Sequence, residues 1–275
     1  MKAWDAVGEA FNVIFSNKWL LTFPIIAYVI ESLGEVFTGY GDTARLISYT
    51  PRFSAVFALP LLIIGMYLQL SAAYYTVRGY YLLKTDRLGE KSGLILKSLR
   101  YGIIIFFVAL IYGLVLAVIG LIGASPALIA YFTLRKASKI VAIGVTLLLG
   151  LPVASFLAGV VTMMLPAYIW DDNFESGFSV IGLAWNNKKE VVGFGFIMFL
   201  IIMACGAVVA GISEFISWMN NNLAGAIADG ITFGAGIGTL SAFSYIAGVL
   251  MYIQLRKMPT VESSIDPDPD WLASL

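Results

Sequence analysis

Histidine is absent from the sequence, and cysteine occurs once, as Cys205 within an apolar run. Without histidine, the chain lacks the most common general base near neutral pH and the most common protein ligand for metals. A single cysteine can form neither an intramolecular disulfide nor a cysteine metal cluster. We therefore predict that the protein is not an enzyme, has no catalytic, cofactor-binding or metal-binding residues, and uses no cofactor.

Charged residues are also scarce. They make up 12% of the 275 residues, while 60% are hydrophobic; soluble domains have about 25% charged and about 45–50% apolar residues. The 17 basic and 17 acidic residues cancel, so the overall charge gives no indication of nucleic-acid binding. This composition predicts an integral membrane protein whose main partner is the lipid bilayer.

Six apolar runs are long enough to cross a membrane, which takes about 20 mostly apolar residues. They predict an all-α fold, a polytopic transmembrane bundle of about six helices in a single domain of residues 1–257. Residues 258–275 include an alternating run of Asp and Pro, residues 266–270, and are expected to form an extended acidic tail. The predicted spans are residues 19–38, 54–83, 101–122, 140–170, 191–218 and 230–252.

The distribution of Lys and Arg predicts the orientation, because cytoplasmic connections of membrane proteins carry an excess of both. If both termini lie on one side, eleven of these residues fall on that side and five on the other. We therefore expect a multi-pass protein of the cell membrane with both termini in the cytoplasm.

Similar segments precede three of the spans and indicate an internal repeat. Their glycines, Gly8, Gly93 and Gly177, lie 85 and 84 residues apart. Each unit would contain a short amphipathic helix and two spans, giving pseudo-repeats of residues 1–84, 85–170 and 171–257. The apolar positions are Trp4, Val7, Phe11 and Ile14 in the first copy and Phe174, Phe178, Ile181 and Trp185 in the third.

The three short helices fall on the predicted cytoplasmic side. Such a helix can lie in the headgroup plane or pack on the bundle, and the sequence does not choose between them. The middle copy is less regular, because Leu94 lies beside Glu90 and Lys97 on its polar side.

Three carboxylates form a candidate intramembrane polar site: Glu31 and Glu35 on the first span and Glu214 on the fifth. Carboxylates within a membrane often mark ion or proton pathways. Alternatively, the first span ends near Leu33, so that Glu35 lies in water and Glu31 at the interface.

Five basic residues are candidate contacts for anionic lipid. Arg78 lies among tyrosines, where it could bind a lipid phosphate or extend its side chain to the surface. The others follow in the next connection, where the orientation bias alone also produces basic groups. The candidates are Arg78, Lys84, Arg87, Lys97 and Arg100.

Two further motifs have structural explanations. The acidic turn at Asp171, Asp172, Asn173 and Glu175 could bind a divalent cation, but it more closely fits a helix N-cap. The glycines of residues 230–238 lack the strand and the lysine or acidic partner of a phosphate loop, and their GxxxG spacing predicts close helix packing.

Two segments carry a family resemblance. GEAFNVIFSNKWLLTFPIIAY, residues 8–28, and LPAYIWDDNFESGFSVIGLAWNNKKEVVGF, residues 165–194, resemble an uncharacterised prokaryotic six-helix integral membrane family. The second segment is also similar to the membrane domain attached to some glycerophosphodiester phosphodiesterases. The resemblance implies spans alternating with interfacial helices, and it transfers no hydrolase residue.

These features favour a non-enzymatic membrane module that organises lipid or a protein partner at its cytoplasmic face. The alternative is a small-solute or ion transporter or channel that uses the outer-half carboxylates, because transporters are often built from repeats. Transporter repeats are usually inverted pairs, however, and three units of one sense fit that scheme poorly.

Overall fold

The computed structural model describes residues 2–38, 55–135, 138–219 and 223–256. These residues form an all-α structure, as predicted, and contain no β-strand. Two 3₁₀ turns, Lys18–Leu21 and Leu88–Gly93, precede the second and fourth α-helices. The α-helices are α1 (Lys2–Ser16), α2 (Thr22–Thr38), α3 (Ala55–Lys84), α4 (Leu94–Leu134), α5 (Lys139–Asp171), α6 (Phe174–Asn186), α7 (Lys188–Met219) and α8 (Leu223–Arg256).

Helices lie at all six predicted spans, namely α2 with its preceding turn, α3, α4, α5, α7 and α8. In the described part of the chain, four segments are long and apolar enough to cross a membrane: Leu88–Leu134, Lys139–Asp171, Lys188–Ile216 and Ala224–Arg256. A bent pair, Ala3–Ser16 with Lys18–Gly34, makes a fifth if it is counted as one span. The helices are those of a membrane protein, and six crossings remain a prediction. The predicted tail, residues 258–275, lies outside the described residues.

Helices α4 and α5 form a long antiparallel hairpin. α4 has 41 residues and is therefore about 60 Å long. The two helices meet along small residues, where a β-carbon added at Gly123 would lie 3.0 Å from Val153 and one at Gly150 would lie 3.8 Å from Ala127. Among the described residues of 113–154, only Ala127 and Ala142 are buried. This outer half of the hairpin thus exposes an apolar surface, as expected of helices surrounded by lipid.

Close backbone contact confirms the packing role predicted for the glycines of α8. A β-carbon at Gly234 would lie 2.6 Å from the Cα of Val29, and one at Gly238 would lie 2.8 Å from the carbonyl oxygen of Pro24. Only glycine allows α2 and α8 to approach this closely. A second contact of this kind joins α5 and α7, where a β-carbon at Gly159 would lie 2.7 Å from the carbonyl oxygen of Val191.

Helix α1 turns by 96° before the segment that begins at Lys18. Its buried face consists mainly of alanine and packs on α7 and α8. Of the four predicted apolar positions, Val7 and Ile14 are buried in this contact, and Trp4 and Phe11 are exposed. Alanine side chains let the backbones come closer than Trp or Phe would, so the large rings lie beside the contact. The buried residues are Ala3, Ala6, Val7, Ala10 and Ile14.

The surface of α1 is divided into three strips. Next to the buried face is an exposed apolar strip of Trp4, Phe11 and Phe15, and beyond it lie polar residues such as Asp5 and Asn12. At about 100° per residue, the apolar and polar strips are adjacent but separate. This pattern suits a helix that packs sideways on a bundle between an apolar and an aqueous phase.

Helix α6 has the same three strips at positions 170 residues later. The buried residues Ala6, Val7, Ala10 and Ile14 correspond to the buried residues Ser176, Gly177, Val180 and Ala184. Phe174 and Trp185 are exposed like Trp4 and Phe15.

The two helices also end alike. The side chain of Asn17 donates to the carbonyl of Val13 at 3.0 Å, and that of Asn187 donates to the carbonyl of Leu183 at 2.9 Å. The middle segment differs, because the turn Leu88–Gly93 leads directly into the continuous helix α4. It therefore forms no separate short helix.

Candidate functional site

Helices α3, α5 and α8 finish together, at Lys84, Asp171 and Arg256, and we call this the charged end of the bundle. Three carboxylates lie here, and each faces a cation from a helix other than its own. The pairs are Glu9 with Lys84, Asp171 with Arg256, and Asp172 with Arg78.

Two of these pairs have the same design. The Lys84 ammonium lies 3.3 Å from Glu9 and 5.8 Å from the centre of the Tyr80 ring, and the Tyr80 hydroxyl donates to Glu9 at 3.4 Å. Arg256 likewise pairs with Asp171 and lies 5.8 Å from the centre of the Tyr252 ring. In each case a tyrosine and the cation four residues later hold one carboxylate.

Asp171 is the more strongly bonded of the two carboxylates. Its Oδ2 accepts from the hydroxyls of Ser176 and Tyr252, each at 2.6 Å, and from Arg256. It thereby joins α5, α6 and α8. Lys84 and Glu9 are both more than two-fifths exposed, so their pair contributes little to stability.

The third pair is looser. Nη2 of Arg78 lies 3.7 Å from Oδ1 of Asp172, which is beyond hydrogen-bond distance. Arg78 Nε is buried and has no hydrogen-bond partner in the described part of the chain. The side chains are 13% and 23% exposed, so the pair is recessed but reachable.

Aromatic rings surround the guanidinium of Arg78. The guanidinium carbon, Cζ, lies 5.9 Å from the centre of the Tyr74 ring and 5.4 Å from the centre of the Tyr81 ring. Tyr74 stacks on Tyr101 of α4 at 4.9 Å, and Tyr81 meets Trp170 of α5 edge-on at 5.2 Å. The faces of Tyr74 and Tyr81 attract the positive charge of Arg78 by cation–π contact. An aromatic ring face is not a strong hydrogen-bond acceptor.

Asp172 ends α5 in the left-handed conformation, with φ of 52°. Burial raises the pKa of Asp172, and the positive charge of Arg78 offsets only part of that effect. Asn173, rather than Asp172, caps α6, because its Oδ1 accepts from the Glu175 amide at 2.9 Å. The acidic turn therefore caps a helix, as expected, and its two aspartates face Arg256 and Arg78.

The five predicted lipid contacts separate into two groups. Arg78 and Lys84 face Asp172 and Glu9, and Arg87 lies 2.8 Å from Glu90. Lys97 is half-buried and Arg100 is exposed; neither pairs with a carboxylate within the described ranges. These two remain available to an anionic partner.

The predicted intramembrane carboxylates belong to α2 and α7. Glu31 lies against Gly65 and accepts a hydrogen bond from Gln69, both on α3. Glu214 is exposed on α7. Glu35 belongs to α2, but its side chain lies outside the described residues.

Sequence reasoning missed Asp229. It is 1% exposed and accepts a hydrogen bond from Ser213 of α7. The predicted span began one residue later, at Gly230, whereas α8 begins at Leu223. The nearest signal was Gly230, which directly follows Asp229 and shares the spacing of Gly234 and Gly238 that faces α2.

Comparison of the chain with protein-family models, curated proteins and solved structures finds no match.

Proposed function

We propose that the protein is a non-enzymatic, multi-pass module of the cell membrane that organises anionic lipid at the cytoplasmic face. The main support is α1, which turns by 96° from the following segment and exposes Trp4, Phe11 and Phe15 along one side. A helix at right angles to a span lies in the membrane plane, where an apolar strip can enter the lipid.

Basic residues at the charged end supply the attraction. Lys97 and Arg100 are available, and the ammonium of Lys91 lies 4.3 Å from the centre of the Trp19 ring. Each Lys or Arg near an anionic surface contributes about 1 kcal/mol of binding. The proposal places the charged end and both termini in the cytoplasm, as the excess of basic residues predicts.

The proposal includes six crossings in three units of one sense. The matching strips of α1 and α6 support two of the units. The ends of α3, α5 and α8 support all three, since each has a tyrosine four residues before a charged residue: Tyr80 and Lys84, Tyr168 and Asp172, Tyr252 and Arg256. We also propose that the chain is related to the six-helix membrane family that it resembles, in which spans alternate with interfacial helices.

The test is lipid enrichment around the protein in nanodiscs, followed by energy transfer from tryptophan to pyrene-labelled phosphatidylglycerol. The variant Lys97→Glu/Arg100→Glu should reduce the transfer several-fold, and labelled phosphatidylcholine should show no such change. The matched control is Arg135→Glu/Lys139→Glu at the opposite end of the α4–α5 hairpin. Equal losses in both variants, or no loss in either, would contradict the proposal. Copurification of a protein partner that Lys97→Glu/Arg100→Glu abolishes would assign the face to that partner.

A small-solute or ion transporter is the second candidate. Its support is the pair of acids bonded between helices, Glu31 with Gln69 and Asp229 with Ser213. Reconstituted protein should then carry a proton or solute flux that Glu31→Gln or Asp229→Asn abolishes and that the exposed control Glu214→Gln retains. Absence of flux from the wild-type protein across a broad solute panel would exclude this candidate.

A further inference from the structure

The middle unit breaks the pattern of the other two at the charged end. In the outer units the residue four positions after the tyrosine is a cation, Lys84 or Arg256, which covers the tyrosine ring and meets a carboxylate. The tyrosine of the middle unit is Tyr168, and the residue four positions after it is an acid, Asp172, which lies just past the end of that unit at residue 170. Departures from a consistent local pattern concentrate at functional sites.

The polar groups around Asp172 do not use all of their hydrogen-bonding capacity within the described part of the chain. The Arg78 guanidinium is too far from Asp172 for a hydrogen bond, and its Nε has no partner among the described residues. The hydroxyl of Tyr168 makes no hydrogen bond to a carboxylate of the described chain, whereas those of Tyr80 and Tyr252 do. The Nε–H of Arg78 is thus a donor without a partner in the described part of the chain, and its guanidinium lies beside a carboxylate.

Asp172 can also accept a second cation. Burial raises the pKa of this carboxyl in spite of the neighbouring Arg78, so one positive charge does not fully compensate its burial. A ligand that suits both members of the pair carries an anion for Arg78 and a cation for Asp172.

We infer that Arg78, Asp172 and Tyr168 bind the headgroup of a phospholipid with a primary amine, a phosphatidylethanolamine. Its phosphate accepts from the guanidinium of Arg78 and the hydroxyl of Tyr168. Its ammonium donates to the carboxylate of Asp172. The four charges then alternate in sign, and the existing ion pair stays in place. This inference rests on the proposed function, because it names the lipid that a membrane-organising module would hold.

The surroundings favour ethanolamine over choline. A choline group cannot donate to Asp172 and needs free aromatic faces. Here the rings of Tyr74 and Tyr101 stack on each other, and Arg78 lies near the faces of Tyr74 and Tyr81. A purely anionic headgroup would face the negative charge of Asp172.

The acyl chains have an apolar surface beside the site. Ile103, Ile104 and Phe107 follow Tyr101 on α4 and are each at least half exposed. A lipid whose headgroup lies at Tyr101 can lay its chains along these residues. This continuity favours a lipid over a soluble solute.

Native mass spectrometry of the delipidated full chain provides the test, with phosphatidylethanolamine, phosphatidylglycerol and phosphatidylcholine of identical acyl chains as probes. We expect one phosphatidylethanolamine to bind at least about tenfold more tightly than the other two, as befits one or more charge-assisted hydrogen bonds. Free phosphoethanolamine is the fourth probe. If it bound as tightly as the lipid, the site would belong to a soluble solute and the inference would be wrong.

The variants distinguish headgroup recognition from a structural ion pair. Asp172→Asn should lose the preference over phosphatidylglycerol, and Tyr168→Phe should weaken binding without removing a charge. Because Arg78→Gln alone leaves a buried acid uncompensated, the doubly neutral Arg78→Gln/Asp172→Asn serves as the folded variant, and it should show no preference among the lipids. The control Arg87→Gln should bind like the wild type. Retention of the preference in the double variant would overturn the inference.

The same preparations separate this inference from the proposed function. Lys97→Glu/Arg100→Glu should remove the phosphatidylglycerol enrichment and keep the single phosphatidylethanolamine, while Arg78→Gln/Asp172→Asn should do the reverse. If the wild-type protein shows one of these two properties and lacks the other, the idea that predicts the missing property has failed.

Discussion

Tyr80 and Tyr252 occupy equivalent positions at the ends of α3 and α8. Each hydroxyl donates to a carboxylate, and a cation four residues later lies 5.8 Å from each ring centre. The tyrosines are 172 residues apart in the chain, and their carboxylates come from different elements, Glu9 from α1 and Asp171 from the end of α5. Helices α3 and α8 thus have the same local arrangement of tyrosine, cation and carboxylate at the charged end.

Asp171→Asn should destabilise the protein by about 1–3 kcal/mol, because it removes the charge from three hydrogen bonds that join α5, α6 and α8. Thermal unfolding in nanodiscs measures the effect. Glu175→Gln is the matched control; Glu175 is exposed in the first turn of α6, and its replacement should stay within about 0.5 kcal/mol of the wild type. Equal unfolding temperatures for the two variants would show that Asp171 does not hold the charged end together.

Gly195→Ala should cost at least about 1–3 kcal/mol, because a β-carbon there would overlap the backbone of Ser155 in α5. Gly193→Ala on the same helix meets no atom within 4 Å and should be neutral or stabilising by about 0.5–1 kcal/mol. If both variants unfolded at the wild-type temperature, the close crossing of α5 and α7 would be wrong.

Asp229→Ala should destabilise the protein by about 1–3 kcal/mol, because it leaves the buried Ser213 hydroxyl without its acceptor. Glu214→Ala changes the next residue of α7, which is exposed, and should change stability by about 0.5 kcal/mol or less. Urea unfolding in detergent compares the two. A larger loss from Glu214→Ala would contradict the burial of Asp229 and the exposure of Glu214.

The stability that Asp172 contributes should decrease as the pH rises. Its folded-state pKa lies above the ordinary value of 3.8, so its contribution is complete below that value and is lost as the pH rises through the raised pKa. The unfolding free energy of the wild type relative to Asp172→Asn should therefore fall from acid toward neutral pH.

Arg78→Gln should move this loss to higher pH, because Arg78 lowers the pKa of Asp172. Chemical unfolding across the pH range measures both effects. A difference between wild type and Asp172→Asn that grows with pH would contradict the sign.

The positions of the long helices could be predicted from the sequence because each contains an apolar run of membrane length. The ion pairs could not, since their partners lie 75 residues apart for Lys84 and Glu9 and 85 for Arg256 and Asp171. Composition indicates that such charges need partners but does not indicate which helices meet.

The residues by which α1 packs on the bundle could not be predicted either, for a different reason. Hydrophobicity ranks Trp4 and Phe11 above alanine, yet close packing on α8 selects Ala6 and Ala10. The repeat was predicted from its glycines, with Gly8 and Gly177 lying 169 residues apart, whereas the burial pattern and the closing asparagines of α1 and α6 match at a shift of 170 residues. The two numbers differ by one residue because the two glycines are not structurally equivalent: Gly8 is exposed, whereas Gly177 is buried against Tyr112.

The central claim is that α1 lies in the headgroup plane on the same side as Lys97 and Arg100. Spin labels at residues 5, 11, 12 and 15, in a Cys205→Ala background in bilayers, test it most directly. Labels at 11 and 15 should be accessible to oxygen in the lipid, those at 5 and 12 to a water-soluble nickel complex, and cysteines at 12 and 97 should react with an impermeant thiol reagent from the same side. Equal exposure of all four labels to the nickel complex, or reaction of residues 12 and 97 from opposite sides, would contradict the account.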